Sequence, residues 1–302
     1  MKPFTYLVRR ELWENRWVWR APVALTVVLL LSYIAAIVLT HAGVTHVHIE
    51  GDNGSFNIQS GAAYFAAHPL MADKASFVFF GVLTALFNFV LIITMARYLL
   101  HSLYGDRKDR SILFWRSMPI SDTATVLSKL LIVMIAAPLA TFVMLVIAQL
   151  LGIGAAAAGG VFNFTWSVGD VIHLWAFLIV GFFIQSLWYL PFYGWIMMAS
   201  AWARQAPVLW TVLPPLLAGF IELIVFQTNY FFSAVGDHAV SVLPGISHDG
   251  AMAHSAQLGE RAFSVRNFAY VLSSGELWIG VAIGIVFVAA AIVIRRYRAE
   301  DY

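Results

Sequence analysis

Cysteine is absent from this 302-residue chain. That excludes disulfides, thiol catalysis and Cys-ligated metal sites, and it fixes no compartment. Charge is almost as scarce: Asp, Glu, Lys and Arg make up 11% of the residues, against 61% hydrophobic residues and a mean hydropathy of +0.81. A soluble domain of this length cannot cover its surface with so few charges, so the composition defines an integral membrane protein. Also missing is any Gly-x-x-x-x-Gly-Lys-Ser/Thr loop, so the chain carries no P-loop cradle for nucleotide phosphates. With a net charge of only +2, no nucleic acid partner is expected.

Long apolar runs are abundant instead. Six stretches, at about 22–40, 76–99, 125–150, 171–199, 207–228 and 276–294, are long enough to cross a hydrocarbon core of ~30 Å as helices. Barrel strands would alternate polar and apolar residues over shorter segments, so the fold class expected is an all-α integral membrane protein in one domain over 1–302. No internal repeat is visible. The basic residues orient the spans. Lys2, Arg9, Arg10, Arg16 and Arg20 precede span 1, and Arg97, Arg107, Lys108, Arg110, Arg116 and Lys129 surround the segment between spans 2 and 3. Arg204 lies between spans 4 and 5, and Arg295, Arg296 and Arg298 follow span 6. Fifteen of the 18 Lys and Arg residues thus fall on one side, leaving Lys74, Arg261 and Arg266. That side is expected to be the cytoplasm, with both termini inside.

Residues 1–21 are expected to form an interfacial helix, mainly over 3–20. Phe4, Val8 and Leu12 repeat at i+4, Trp13, Trp17 and Trp19 sit beside them, and Arg9, Arg10, Arg16 and Arg20 can meet headgroups. Pro22 is expected to mark a break before span 1. The segment carries Glu11 and Glu14 and has no convincing small-residue cleavage site, so it is expected to be an anchor rather than a removed signal peptide. Two long outer segments remain, 41–75 and 229–275. The first has a turn-rich centre at Gly51, Asp52, Asn53 and Gly54. The second contains Tyr230-Phe-Phe232 and Phe268-Ala-Tyr-Val-Leu272, apolar but too short to span, and suited to dipping into the outer leaflet.

The densest information lies in residues 97–130. Charges crowd between two apolar spans, and an apolar cluster of Ile112, Leu113, Phe114 and Trp115 sits among them. A merely soluble loop does not need that cluster. One reading is a short helix at about 107–117 that Asp109 caps, with Phe114 and Trp115 inserted into a partner's groove and the arginines paired with its acids. The other is a basic loop whose aromatics rest in the interface.

The run Ser102-Leu-Tyr-Gly-Asp-Arg-Lys-Asp-Arg-Ser-Ile-Leu-Phe-Trp-Arg-Ser-Met-Pro-Ile-Ser-Asp122, followed by Thr125-Val-Leu-Ser-Lys-Leu130, resembles the permease subunits of ABC-2 type transporters. That family has six spans, an N-terminal elbow helix, a cytoplasmic coupling helix between spans 2 and 3 and a long extracytoplasmic segment before span 6. All four have counterparts here. The resemblance implies an ATP-driven exporter of the bacterial inner membrane. Two permeases, identical or paralogous, would line the route, bound to two copies of a separate cytoplasmic ATPase that carries ATP and Mg. On this reading Asp106, Arg107, Arg110, Ile112, Phe114, Trp115 and Arg116 form the ATPase-coupling interface. The chain itself would be no enzyme and hold no cofactor.

Glu222 is the acid nearest the middle of a span, and an intramembrane acid by default suggests function. Span 5 often lines the dimer interface and route in the resembled family, which makes Glu222 the first translocation candidate, with Asn88 and Gln185 behind it. The structural alternative is an acid near the outer end, hydrogen-bonded to Gln227 or Asn229. Gly280-Val-Ala-Ile-Gly284 permits close helix approach. His46, His48, Glu50 and Asp52 alternate as a metal-binding face would, though a plain polar loop is the preferred reading. Gly245-Ile-Ser-His-Asp-Gly250 is not a nucleophile elbow, because the adjacent Ser247, His248 and Asp249 point apart. Two rivals to a transporter stay open: a six-span membrane enzyme, which would need convergent polar groups inside the spans, and a non-transporting sensor or scaffold subunit.

Overall fold

The structure is a computed structural model, and it describes residues 3–42, 49–51, 54–56, 68–108, 121–159, 166–240 and 265–298. Helices dominate these residues: α1 (Pro3–Glu14), α2 (Trp17–His41), α3 (Pro69–Lys108), α4 (Asp122–Leu131), α5 (Ala137–Gly159), α6 (Val168–Trp188), α7 (Leu190–Trp202), α8 (Pro207–Ile221), α9 (Tyr230–Val240), α10 (Val265–Ser273) and α11 (Gly275–Arg298). π-helical segments at Ile132–Ala136 and Glu222–Phe226 join α4 to α5 and extend α8. Strands β1 (Ile49–Gly51) and β2 (Gly54–Phe56) pair antiparallel, with Gly51 opposite Gly54 around the predicted turn. Among the described residues, six helical stretches are long and apolar enough to cross a membrane: Trp17–Leu39, Leu70–Lys108, Asp122–Gly159, Val168–Trp188, Pro207–Phe226 and Gly275–Tyr297.

Local chemistry shifts several expected boundaries. The break before span 1 lies at Asn15–Arg16, not at Pro22, which sits inside α2. Asn15 makes the break by folding its side-chain amide back onto the Glu11 carbonyl at 3.2 Å and the Glu11 carboxylate at 3.3 Å. Pro22 is tolerated five residues into α2, and its carbonyl accepts a hydrogen bond from Thr26 Oγ1 at 2.9 Å. Span 4, expected as one helix over 171–199, is two, α6 and α7, parted at Tyr189. Pro191 lacks the N–H that a continuous helix would use, and it sits in the first turn of α7, where none is needed. Span 5 stops at Gln227, in the left-handed region with φ of 53°. Spans 2 and 3 run well past their expected ends, to Lys108 and from Asp122. The apolar pieces expected in the outer segment lie on helices α9 and α10.

Residue contacts divide the chain into two units. One comprises Trp19–Leu91 and Ala140–Leu178. Within it Trp175 Nε1 donates to Gln149 Oε1 at 2.7 Å, and Trp166 stacks on Phe80 while donating to Asp73 Oδ1 at 2.7 Å. Ser167 and Asp170 cap the start of α6 reciprocally. The other unit comprises Met1–Val18, Ile92–Leu139 and Ile179–Tyr302. Its main seam is α7 against α11. Gly284 and Gly194 make that seam: a Cβ on Gly284 would stand 2.7 Å from the Leu190 backbone, and one on Gly194 would stand 2.7 Å from the Gly284 carbonyl oxygen, whereas Gly280 faces the His238 ring. Trp188, Leu190, Leu277 and Val281 form a buried cluster at its upper part. There His238 of α9 stacks on Trp188, and Trp188 Nε1 donates to the His238 carbonyl at 2.8 Å.

A candidate coupling site built from buried charges

Both helices that flank the 109–120 segment carry charge at their ends, and in the unit of Met1–Val18, Ile92–Leu139 and Ile179–Tyr302 those charges are drawn inward. Asp106 lies in the last turn of α3. Asp122 opens α4, behind the N-cap Ser121, whose Oγ accepts from Ala124 N at 3.1 Å. Arg295, near the end of α11, bridges the two: its Nη1 donates to Asp106 Oδ2 at 2.9 Å and its Nε to Asp122 Oδ1 at 3.1 Å. One guanidinium therefore holds the two ends of the 109–120 segment together.

The network continues. Lys129, two turns along α4 from Asp122 and on the same face, places Nζ 3.5 Å from Asp106 Oδ2 and 2.8 Å from Glu11 Oε1 of α1. The same Glu11 oxygen accepts from Arg10 Nη2 at 2.8 Å, and Oε2 accepts from Tyr98 Oη at 3.0 Å. Cations and anions alternate from Arg10 through Glu11, Lys129, Asp106 and Arg295 to Asp122. The side chains of Glu11, Lys129 and Arg295 are only 0%, 3% and 4% exposed. At that depth a carboxylate or ammonium is tolerable only when paired and hydrogen-bonded, and four donors surround Glu11. Glu14, further along α1 and outside the spans, keeps a looser pairing with Arg10 at 3.4 Å, and its partial burial raises its carboxyl above the usual range.

A second lock joins α3 to α7. Ser200 is fully buried, and its Oγ inserts into the α3 backbone, accepting from Tyr104 N at 3.1 Å and donating to the Leu100 carbonyl at 2.8 Å. Arg107 answers from α3 by donating through Nη2 to the carbonyls of Ser200 and Ala203, the latter at 2.9 Å, which satisfies the C-terminus of α7. Arg97 of α3 lies over the Trp17 ring at 4.7 Å.

Of the sequence-predicted interface residues, Asp106 and Arg107 are thus engaged by the chain itself. Asp109, Arg110, Ile112, Phe114, Trp115 and Arg116 lie outside the described residues. Glu222 serves as an acceptor near the C-terminal end of span 5: it takes Thr228 Oγ1, Tyr230 N and Phe231 N, each at 2.8 Å, and so caps α9. Its partners are Thr228 and the α9 backbone, not the expected Gln227 or Asn229. Asn88 and Gln185 are buried, one in each unit. His46, His48, Asp52, Ser247, His248 and Asp249 lie outside the described residues. Among the described residues no three His, Asp or Glu side chains are grouped to hold a metal.

Sequence reasoning missed Glu11, Tyr98, Lys129 and Arg295 as a site. Lys129 carried the one available signal, an ionisable residue inside an apolar span. The described residues define a polytopic helical membrane protein, with six helices fit to cross a bilayer and a buried ion network in one unit. Comparison with known proteins adds no narrower class: no family model, no curated protein and no solved structure matches the chain.

Proposed function

We propose that the chain is the membrane subunit of an ATP-driven exporter of the ABC-2 type, working as a dimer of permeases with a separate cytoplasmic ATPase that binds ATP and Mg. The observation that carries this reading is the Arg295 bridge between Asp106 and Asp122. A segment that receives force from a partner must be held firmly at both ends and joined to the helices it moves. Here the ends of 109–120 are tied to α11 through Arg295 and to α1 through Lys129 and Glu11. On this reading Asp106 and Arg107, together with Arg110, Ile112, Phe114, Trp115 and Arg116 of that segment, make up the ATPase-coupling interface. The basic bias of this end supports a cytoplasmic location for it and for both termini, and the resemblance to ABC-2 permeases supports a bacterial inner membrane. The exposed apolar flank of span 5, including Leu216, Phe220 and Ile224, suits lipid or the second permease.

The test is co-purification from native membranes in mild detergent, with a Phe114→Asp, Trp115→Asp double variant in parallel. A soluble nucleotide-binding protein retained by the wild type and lost from the variant is the expected result. A folded wild type that brings no such protein overturns the reading.

A further inference from the structure

We propose that α4 is a lever, latched by its two charged residues, hinged at the π-helical segment Ile132–Ala136, and free to swing into an open groove on its other side. Three independent features meet on this one helix. Asp122 and Lys129, seven residues apart, present one face to Arg295 and Glu11. Measured from Asp122 at 100° per residue, Leu130, Leu127 and Leu131 lie about 80°, 140° and 180° around the helix. They line an open apolar groove of about 610 Å³ that Phe4 of α1 and Phe183 of α6 also border, all within one unit. In a bilayer, acyl chains fill it and can yield it.

The third feature is the hinge. The π-helical segment starts three residues after Lys129, and Met134 within it borders the same groove. Its i→i+5 hydrogen bonds can exchange for i→i+4 bonds without leaving backbone groups unpaired across a whole turn. Such an exchange rotates α4 relative to the residues that follow. π-helical turns inside α-helices are rare and concentrate where function needs a change of geometry. The latched face is polar, held by directional bonds that either form or break. The side away from it is apolar and borders the open groove. That combination gives two discrete positions rather than a soft continuum. The lever is a property of this chain alone and stands whether or not the partner is an ATPase.

The test uses the full chain in lipid nanodiscs. Because it has no cysteine, Thr123→Cys on α4 and Tyr297→Cys on α11, both exposed, can be spin-labelled without background. Pulsed electron spin resonance should give one narrow distance with the latch intact. Neutralising the whole latch with Glu11→Gln, Lys129→Met and Asp122→Asn together should add a second, separate distance, and Leu131→Trp, which fills the groove, should remove it again. The milder Asp122→Asn alone, which leaves Arg295 paired with Asp106 and Lys129 with Glu11, should give the second distance at lower population if the triple variant fails to fold. A single unchanged distance in folded latch variants overturns the proposal. So does a second distance that survives the tryptophan.

Discussion

Lys129 Nζ stands 2.8 Å from Glu11 Oε1, and both side chains are almost wholly buried. The pair joins α4 to α1 across 118 residues of sequence. Lys129→Met removes one of two cations from Glu11 but leaves Arg10 Nη2 on the same oxygen at 2.8 Å, so the loss is expected to stay below the ~3–5 kcal/mol of a fully stranded buried charge. Thermal stability should fall in Lys129→Met, and Glu11→Gln with Lys129→Met should recover part of the loss, less the attraction that Arg10 then forfeits. Fluorescence-detected size-exclusion melts of the single and double variants check this. Equal losses in both would mean that the pair contributes packing rather than charge compensation.

Ser200 and Arg107 form a reciprocal clasp between α3 and α7. Ser200→Ala removes an acceptor for Tyr104 N and a donor to Leu100 O, and an ordinary α-helical bond between those two groups can partly replace them. The expected net cost is roughly 1 kcal/mol. Amide exchange at Leu103 and Tyr104 should change most, since their N–H groups face Ser200 directly. Arg107→Ala leaves the carbonyls of Ser200 and Ala203 without their cap, and should speed exchange at the α7 end instead.

Much of the architecture could be read from the sequence because hydropathy over twenty residues is a strong signal. Six spans follow from it, and the Gly280–Gly284 motif did mark a close helix approach, made at Gly284, whereas the helices at Tyr230 and Phe268 were legible only as short apolar pieces. The charged site could not be read in the same way. Lys129 and Arg295 enter an orientation count as two more basic residues, and Glu11 as an acid among arginines. Nothing local tells that they meet, because their pairing is made by helices far apart in the chain. The π-helical segment at Ile132 has no composition of its own, being as apolar as its surroundings. The break at Tyr189 did have a visible cause in Pro191, but the apolar run through it outweighs a single proline.

The α7–α11 seam predicts opposite outcomes for two glycine-to-alanine changes. Gly284→Ala puts a methyl 2.7 Å from the Leu190 backbone, which can yield only by separating the helices. The expected loss is about 1–3 kcal/mol, as for other overpacked sites. Gly81 lies inside α3 with no atom within 4 Å of an added Cβ. Gly81→Ala should raise stability by roughly 0.5–1 kcal/mol, because alanine loses less backbone entropy in a helix. Melting both variants side by side separates a packing role for glycine from a general intolerance of change in the spans.

Glu222 can be assigned by separating its effect on structure from any effect on substrate. Its carboxylate receives two backbone N–H groups at the start of α9 and the Thr228 hydroxyl. Glu222→Ala leaves all three donors without this acceptor, so exchange at Tyr230 and Phe231 should accelerate while the rest of α9 changes less. Glu222→Gln keeps a carbonyl oxygen and should preserve part of the cap while abolishing the charge. If the cap is the whole of its role, the two variants will rank by their exchange rates alone, and any activity measured in membranes will follow the same order. If the charge meets a passing solute, Glu222→Gln will impair activity out of proportion to its mild effect on α9. The ordering of two variants by two readouts therefore decides between a structural acid and one on the route.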